Sequence, residues 1–152
     1  MTNAPAELLE QRATFVTLML KGKLRGCIGM LEADRALAED VNQNAFAAAT
    51  RDTRFRPLAS EEERDTEIHI SMLHPSVPLP CENADELLSK LRPGVDGLIL
   101  RDGSRRATFL PSVWKDLREP RDFLEQLFLK AGLSKHYWSK TLQFWTYEVE
   151  DI

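Results

Sequence analysis

The chain has 152 residues, 43% hydrophobic and 29% charged, and its 20 basic against 24 acidic side chains leave a net charge of −4. That length supports one well-buried domain, and the composition excludes a disordered chain and an extended coiled coil. No run approaches the about 18 apolar residues of a membrane span, Met1–Glu10 has no basic stretch leading into an apolar one, and the charge balance does not steer the chain toward nucleic acid, so a cytoplasmic protein is expected.

Ala13–Leu20 is a nearly unbroken apolar and β-branched run, Lys21-Gly22 reads as a two-residue turn, and a second run extends through Met30, which together predict a β-hairpin. A tight turn pairs Leu20 with Lys23, Leu18 with Arg25, Val16 with Cys27 and Thr14 with Gly29. Phe15, Met19, Leu24 and Ile28 then form an apolar core face, and Lys23, Arg25 and Cys27 project together from the other. Leu37, Val41, Ala45 and Ala48 recur at helical spacing in an alanine-rich stretch that runs to Thr50, with Asp34 as its candidate cap. The polar link Arg51–Leu58 and an acidic turn at Ser60–Arg64 lead into a strand at Glu67–Leu73. Its Ile68, Ile70 and Met72 take one side, and Glu67, His69 and Ser71 the other.

Pro75, Pro78 and Pro80 make residues 75–81 an extended connector between two lobes, expected at 12–74 and 82–150 of a single domain. Asn83 caps a short helix containing Leu87, Leu88 and Leu91, and Gly94 and Gly97 precede a strand at Leu98–Arg101. Asp102-Gly103 reads as a hairpin turn returning through Arg106–Leu110. A helix at Pro120–Lys130 stopped at Gly132, a turn near Ser134–Lys140 and a strand at Leu142–Val149 complete the chain. The fold class is α+β, with mostly antiparallel hairpin strands and helices packed on them.

The string LRGCIG at Leu24–Gly29 resembles the signature of the AMMECR family, whose prokaryotic members are called AmmeMemoRadiSam system protein A. The likeness continues through LAEDV at Leu37–Val41, DTRF at Asp52–Phe55, IHISML at Ile68–Leu73, DGLIL at Asp96–Leu100, FLPSVW at Phe109–Trp114 and LKAGL at Leu129–Leu133. Thr53 and Ser112 stand where the family commonly has proline and glutamine, and only Met1–Gln11 precede Arg12 where the family usually carries a helix. The resemblance implies a two-lobed α+β structure whose signature faces a cleft between the lobes. It also implies a genomic association with Memo-like and radical S-adenosylmethionine proteins. It supplies no established reaction and no cofactor.

In a reducing setting Cys27 and Cys81 are free thiols rather than a disulfide. Cys27 is a candidate nucleophile or redox thiol, because Lys23 and Arg25 on its strand face favour the thiolate. Gly26 and Gly29 would admit a ligand close to the backbone. Arg25, Arg54 and Lys130 are candidates to converge on a phosphate or carboxylate, with Asp52 and Glu67 as candidate acid–base partners. The competing reading packs Cys27 against Val16 and pairs the arginines with Asp52, Glu67 or Asp40. His69, His74 and His136 with two distant cysteines match no zinc spacing, and Gly94–Gly97 lacks the pattern of a phosphate loop. Trp114, Tyr137, Trp138 and Trp145 could stack on bases, but with no basic run beside them they read as core. Three functions remain: an enzyme or enzyme component acting on a small anionic or peptide substrate, a protein-binding adaptor, and, more weakly, a nucleic-acid binder.

Overall fold

The computed structural model describes residues 5–152, so Met1–Ala4 lie outside the described residues. Its elements run α1 (Ala6–Leu9), β1 (Ala13–Leu20), β2 (Lys23–Gly29), α2 (Leu37–Thr50), β3 (Thr66–Leu73), β4 (Val77–Pro78), α3 (Ala84–Lys90), β5 (Gly97–Asp102), β6 (Arg105–Phe109), α4 (Pro120–Lys130), β7 (Gln143–Tyr147) and β8 (Val149–Asp151). They form two four-stranded sheets, ordered β2-β1-β3-β8 and β4-β7-β5-β6, which makes the fold α+β. The chain divides into two units. One ends at His74 and takes back Glu150–Ile152, and the other is Pro75–Val149.

In the first unit Lys21 and Gly22 both take positive φ, 53° and 77°, as a two-residue hairpin turn demands. The pairing begins as expected, with Leu20 opposite Lys23 and Met19 opposite Leu24, and then the register shifts. Leu18 faces Gly26, Thr17 faces Cys27 and Val16 faces Ile28, so Arg25 is the extra residue of a β-bulge. Because strand faces alternate with a period of two, one extra residue exchanges the faces of everything beyond it. Thr14, Val16 and Leu18 are the sealed residues, packed with Ile28, Ile70 and the Ala45, Ala48 and Ala49 stripe of α2. The expected core face of Phe15, Met19, Leu24 and Ile28 is therefore corrected: of these only Ile28 joins that cluster, and Leu24 is 39% exposed.

The bulge has a visible cause. A Cβ on Gly26 would stand 2.1 Å from the carbonyl oxygen of Ala48, so α2 lies directly on the glycine's backbone and no other residue fits there. Shifting Arg25 out of register puts the glycine, rather than the arginine, under the helix. Asp34 does not cap α2. The N-cap is Ala36, and Arg35 reaches into the first turn to pair with Asp40 at 2.6 Å.

The second unit is closer to its sequence reading. Asn83 caps α3 by accepting the Glu86 N–H at 2.8 Å. Helix α4 ends in a Schellman motif, with Gly132 at φ 80°, its N–H donating to Leu129 and the Leu133 N–H to Phe128. The hairpin turn sits one residue later than expected, since Asp102 pairs with Arg105 and Gly103-Ser104 form the loop. Two extended segments change identity. Val77–Pro78 of the connector is a strand paired to Thr146 and Trp145, and the predicted strand Leu142–Val149 breaks at Glu148, its last residues crossing to the first sheet. Leu87, Leu98, Leu100, Trp114, Phe123, Leu127, Phe128 and Phe144 make the core, with the Trp114 indole stacked on Phe123 at 3.8 Å and its N–H donated to the Asp96 carbonyl.

Candidate functional site

The residues flagged around LRGCIG are gathered by the segment that follows α2. It runs back along β2, an edge strand whose outward backbone groups need partners. Asp52 supplies one: its Oδ2 accepts the Cys27 N–H at 3.0 Å. The same carboxylate turns the chain by accepting the Arg54 N–H at 3.1 Å, and binds the Arg54 guanidinium through Nε and Nη2 at 3.0 and 2.7 Å. Those bonds, Arg54 first, outweigh desolvation and hold the buried Asp52 carboxyl well below the usual carboxylate range.

Arg25 is anchored further along that segment. Its Nε and Nη2 donate to the two oxygens of Glu62 at 3.0 and 3.1 Å, and Nη2 also reaches the Pro57 carbonyl. The Ala59 N–H adds to Glu62 Oε1, and with Arg25 as the main cause the Glu62 carboxyl is lowered to about 2. The Phe55 ring lies 5.8 Å from the Arg25 guanidinium and 5.4 Å from that of Arg54. Arg25 is thus buried and matched by a carboxylate that the sequence reading did not name; the acidic turn at Ser60–Arg64 was the available signal.

The bulge also separates Lys23 from Cys27. Lys23 pairs with Leu20 on the α2 side of the sheet, whereas Cys27 pairs with Thr17 on the opposite side. The expected trio Lys23, Arg25 and Cys27 is corrected to Cys27 alone on that face. Its half-buried sulfur lies 3.2 Å from the Thr17 hydroxyl. The cation nearest in effect is Arg54, whose pKa is raised first by its hydrogen bond to Asp52 and additionally by the charges of Asp52 and Cys27. Its side chain is 56% exposed, so an outer edge of the guanidinium faces solvent.

Other expected members stand elsewhere. Gly26 faces Ala48 and offers no approach to a ligand, and Gly29 lies against the Phe15 ring. Lys130 belongs to the second unit, where Nζ donates to the Thr108 carbonyl and lies over the Phe109 ring at 5.1 Å. Glu67 is exposed and opposite Met19, two pairs along from the Cys27 row on the same face. Opposite Thr17 on β3 is His69, whose Nε2 is 3.5 Å from Glu67 Oε2. The sequence reading weighs His69 only as a metal ligand; its alternation with Glu67 and Ser71 sets it on the side of β3 away from Ile68 and Ile70, and the pairing of β3 with β1 makes that the Cys27 face. Among the described residues no group of three His, Cys, Asp or Glu side chains is arranged to hold a metal ion, and no helix is long and apolar enough to cross a membrane.

Of a second polar cluster the sequence reading named only Asp40, as a partner for the candidate arginines; its arginine is Arg35. Thr14 Oγ1 donates to Asp40 Oδ2 at 2.5 Å, Asn44 Nδ2 donates to Thr14 and Asp40, and Arg35 closes the set on Asp40 Oδ1. Thr14, Asp40 and Asn44 are all buried, so the network pins α2 to β1 and is satisfied internally.

These features define a two-sheet α+β protein whose edge strand carries a half-buried thiol beside a carboxylate-held arginine. The chain belongs to the AMMECR1 family, which it matches over residues 1–152. It is 40% identical over 130 residues to a protein of Methanothermobacter thermautotrophicus, a match covering 85% of this chain and 68% of that one. A protein of Thermotoga maritima is 36% identical over 151 residues, covering 97% and 82%. Among solved structures, the uncharacterised protein PH0010 from Pyrococcus horikoshii superposes with a TM-score of 0.91 at 29% identity, covering 99% of this chain and 77% of that one.

Proposed function

We propose that this AMMECR1-family chain is an enzyme, or the substrate-binding component of one, that presents the Cys27 thiol to a small anionic or peptide substrate, with Arg54 rather than Arg25 supplying the anion contact. The observation that supports this is the division of labour between the two arginines. Arg25 spends its guanidinium on Glu62 and Pro57, whereas Arg54 is fixed on one edge by Asp52 and exposed on the other, within electrostatic range of Cys27. A planar cation so held is preorganised for a carboxylate or phosphate, and a thiol beside bound substrate can attack it.

Protection of the thiol by an anion tests this. With Cys81 replaced by serine, inorganic phosphate at about 10 mM should slow alkylation of Cys27 by iodoacetamide several-fold, and Arg54→Ala should remove the protection. Equal alkylation rates with and without phosphate would remove the anion site. The adaptor reading is favoured by a different observation: apart from the thiol, the polar side-chain groups of Leu24–Gly29 are used within the fold. On that reading a partner, of the Memo-like or radical S-adenosylmethionine kind implied by the resemblance, co-purifies equally with the parent and with Cys27→Ser.

A further inference from the structure

The reactive-thiol reading leaves one question open: where the proton of Cys27 goes. The strand register answers it. Cys27 on β2, Thr17 on β1 and His69 on β3 occupy one continuous cross-strand row, and all three lie on the sheet face away from α2. Because the Cys27 N–H points outward to Asp52, Cys27 and Thr17 form a pair without mutual backbone bonds, the type that brings side chains closest. The sulfur-to-hydroxyl distance of 3.2 Å agrees. Thr17 and His69 are also directly opposite, but as the hydrogen-bonded pair of the central strand, the wider relation, with Cβ atoms about 5.5 Å apart. The imidazole is turned toward Glu67 and makes no hydrogen bond to Thr17 in this arrangement, so it meets the hydroxyl by rotating about its side-chain torsions. Beyond the imidazole stands Glu67, 3.5 Å from Nε2.

We infer that Thr17 and His69 form a proton relay for Cys27, in which the Thr17 hydroxyl touches the sulfur and His69 acts through it as a positioning and proton-accepting residue. The step balances. The Cys27 S–H proton passes to Thr17 Oγ1 as the Thr17 O–H proton passes to the ring nitrogen of His69, leaving a thiolate, an intact hydroxyl and an imidazolium beside the Glu67 carboxylate. The charged groups that bear on the row are Glu67 on His69's own strand, Asp151 of β8, which accepts from Ser71, and Arg54 with Asp52 at the β2 edge. Threonine is suited to the middle position because its hydroxyl both donates and accepts, which valine of the same shape cannot do.

This inference rests on the reactive-thiol reading, and one experiment separates the two. In the full chain carrying Cys81→Ser, iodoacetamide alkylation of Cys27 is followed from about pH 5 to about pH 9, a range spanning ordinary imidazole and thiol titration. The parent should react faster than free cysteine near neutrality. Thr17→Val and His69→Asn should each lower that rate about tenfold and move the profile to higher pH, whereas Thr17→Ser, which keeps the hydroxyl, should restore it. His69 is exposed, so its replacement tests the relay without disturbing a core. Fast alkylation that none of these changes alters would overturn the relay and leave the thiol reading intact. A parent thiol no faster than free cysteine across the range would overturn both.

Discussion

In the second unit the large fully buried side chains Leu87, Leu98, Leu100, Phe123, Leu127 and Phe128 are apolar, with Asp96 the exception, whereas in the first Thr14 and Asp40 are buried as fully as Val16. The second unit has a buried carboxylate too, Asp96, but its partner Arg92 is its own neighbour in sequence, bonded through Nη2 at 2.7 Å. The first unit's pairs reach further: Arg25 to Glu62 spans 37 positions and Cys27 to Asp52 spans 25. The second unit also has distant polar contacts, Tyr137 to Asp102 over 35 positions and Thr108 to Tyr147 over 39. There they accompany an apolar core, whereas in the first unit they hold the edge strand itself. A site needs the latter kind of order, because hydrogen bonds fix where a side chain points while apolar packing mainly fixes that it is inside.

The largest effect expected from this contrast lies in the apolar unit. Phe123 is fully buried, stacked on Trp114 and edge-on to Phe109, so Phe123→Ala should cost about 3–5 kcal/mol in denaturant unfolding. A loss under about 1 kcal/mol would mean that this aromatic core is not what stabilises the unit. Next comes the first unit's closest approach. Gly26→Ala places a methyl group 2.1 Å from a backbone oxygen that cannot rotate away, so α2 must shift, at about 1–3 kcal/mol. That shift would also move Asp52 relative to Cys27, so the variant should raise amide exchange at Cys27. Unchanged exchange would show that the helix and the edge lock are independent. Smaller again is Asn83→Ala, which removes the α3 cap and should cost about 1 kcal/mol without altering Cys27 alkylation.

The same contrast explains what could be read from the chain alone. Strand β1 and helix α4 agree with their expected bounds because their signals are local: a run of β-branched and apolar residues, a proline at the start, a glycine at the end. The α+β class followed from those elements. The bulge at Arg25 did not, since a regular hairpin and a bulged one have the same local sequence. What selects between them is Ala48 above Gly26 and Glu62 beyond Arg25, both distant in the chain. One residue of slip then reversed the faces, and with them the expected neighbours of Cys27. Asp52 and Arg54 were named as candidates, but their bond to each other and to the Cys27 N–H depends on how the loop after α2 returns. His69 lay in plain view on the alternating strand β3. Its place in the Cys27 row follows only from a register that two turns and a bulge determine together.

The smallest change needs no substitution and tests whether the polar lock holds the first unit. The Glu62 carboxyl is lowered in the folded protein to about 2, chiefly by Arg25, and Asp52 is lowered chiefly by Arg54. A carboxyl depressed by folding adds stability that is present above its unfolded value of about 4 and is lost as pH falls through the folded one. Between about pH 4 and about pH 2 the first unit should therefore loosen, seen as faster amide exchange at Arg25 and Cys27. The three tryptophans, Trp114, Trp138 and Trp145, all lie in the second unit, so their fluorescence reports that unit separately. Glu86 and Asp102 are lowered there too, by hydrogen bonds at the surface, and should produce a weaker acid response. In Glu62→Gln the acid limb of exchange should flatten, because glutamine has no proton to gain. If Arg25 and Cys27 exchange with the same acid dependence in that variant, the Arg25–Glu62 pair is not what ties the edge strand to the loop, and the contrast between the two units loses its electrostatic basis.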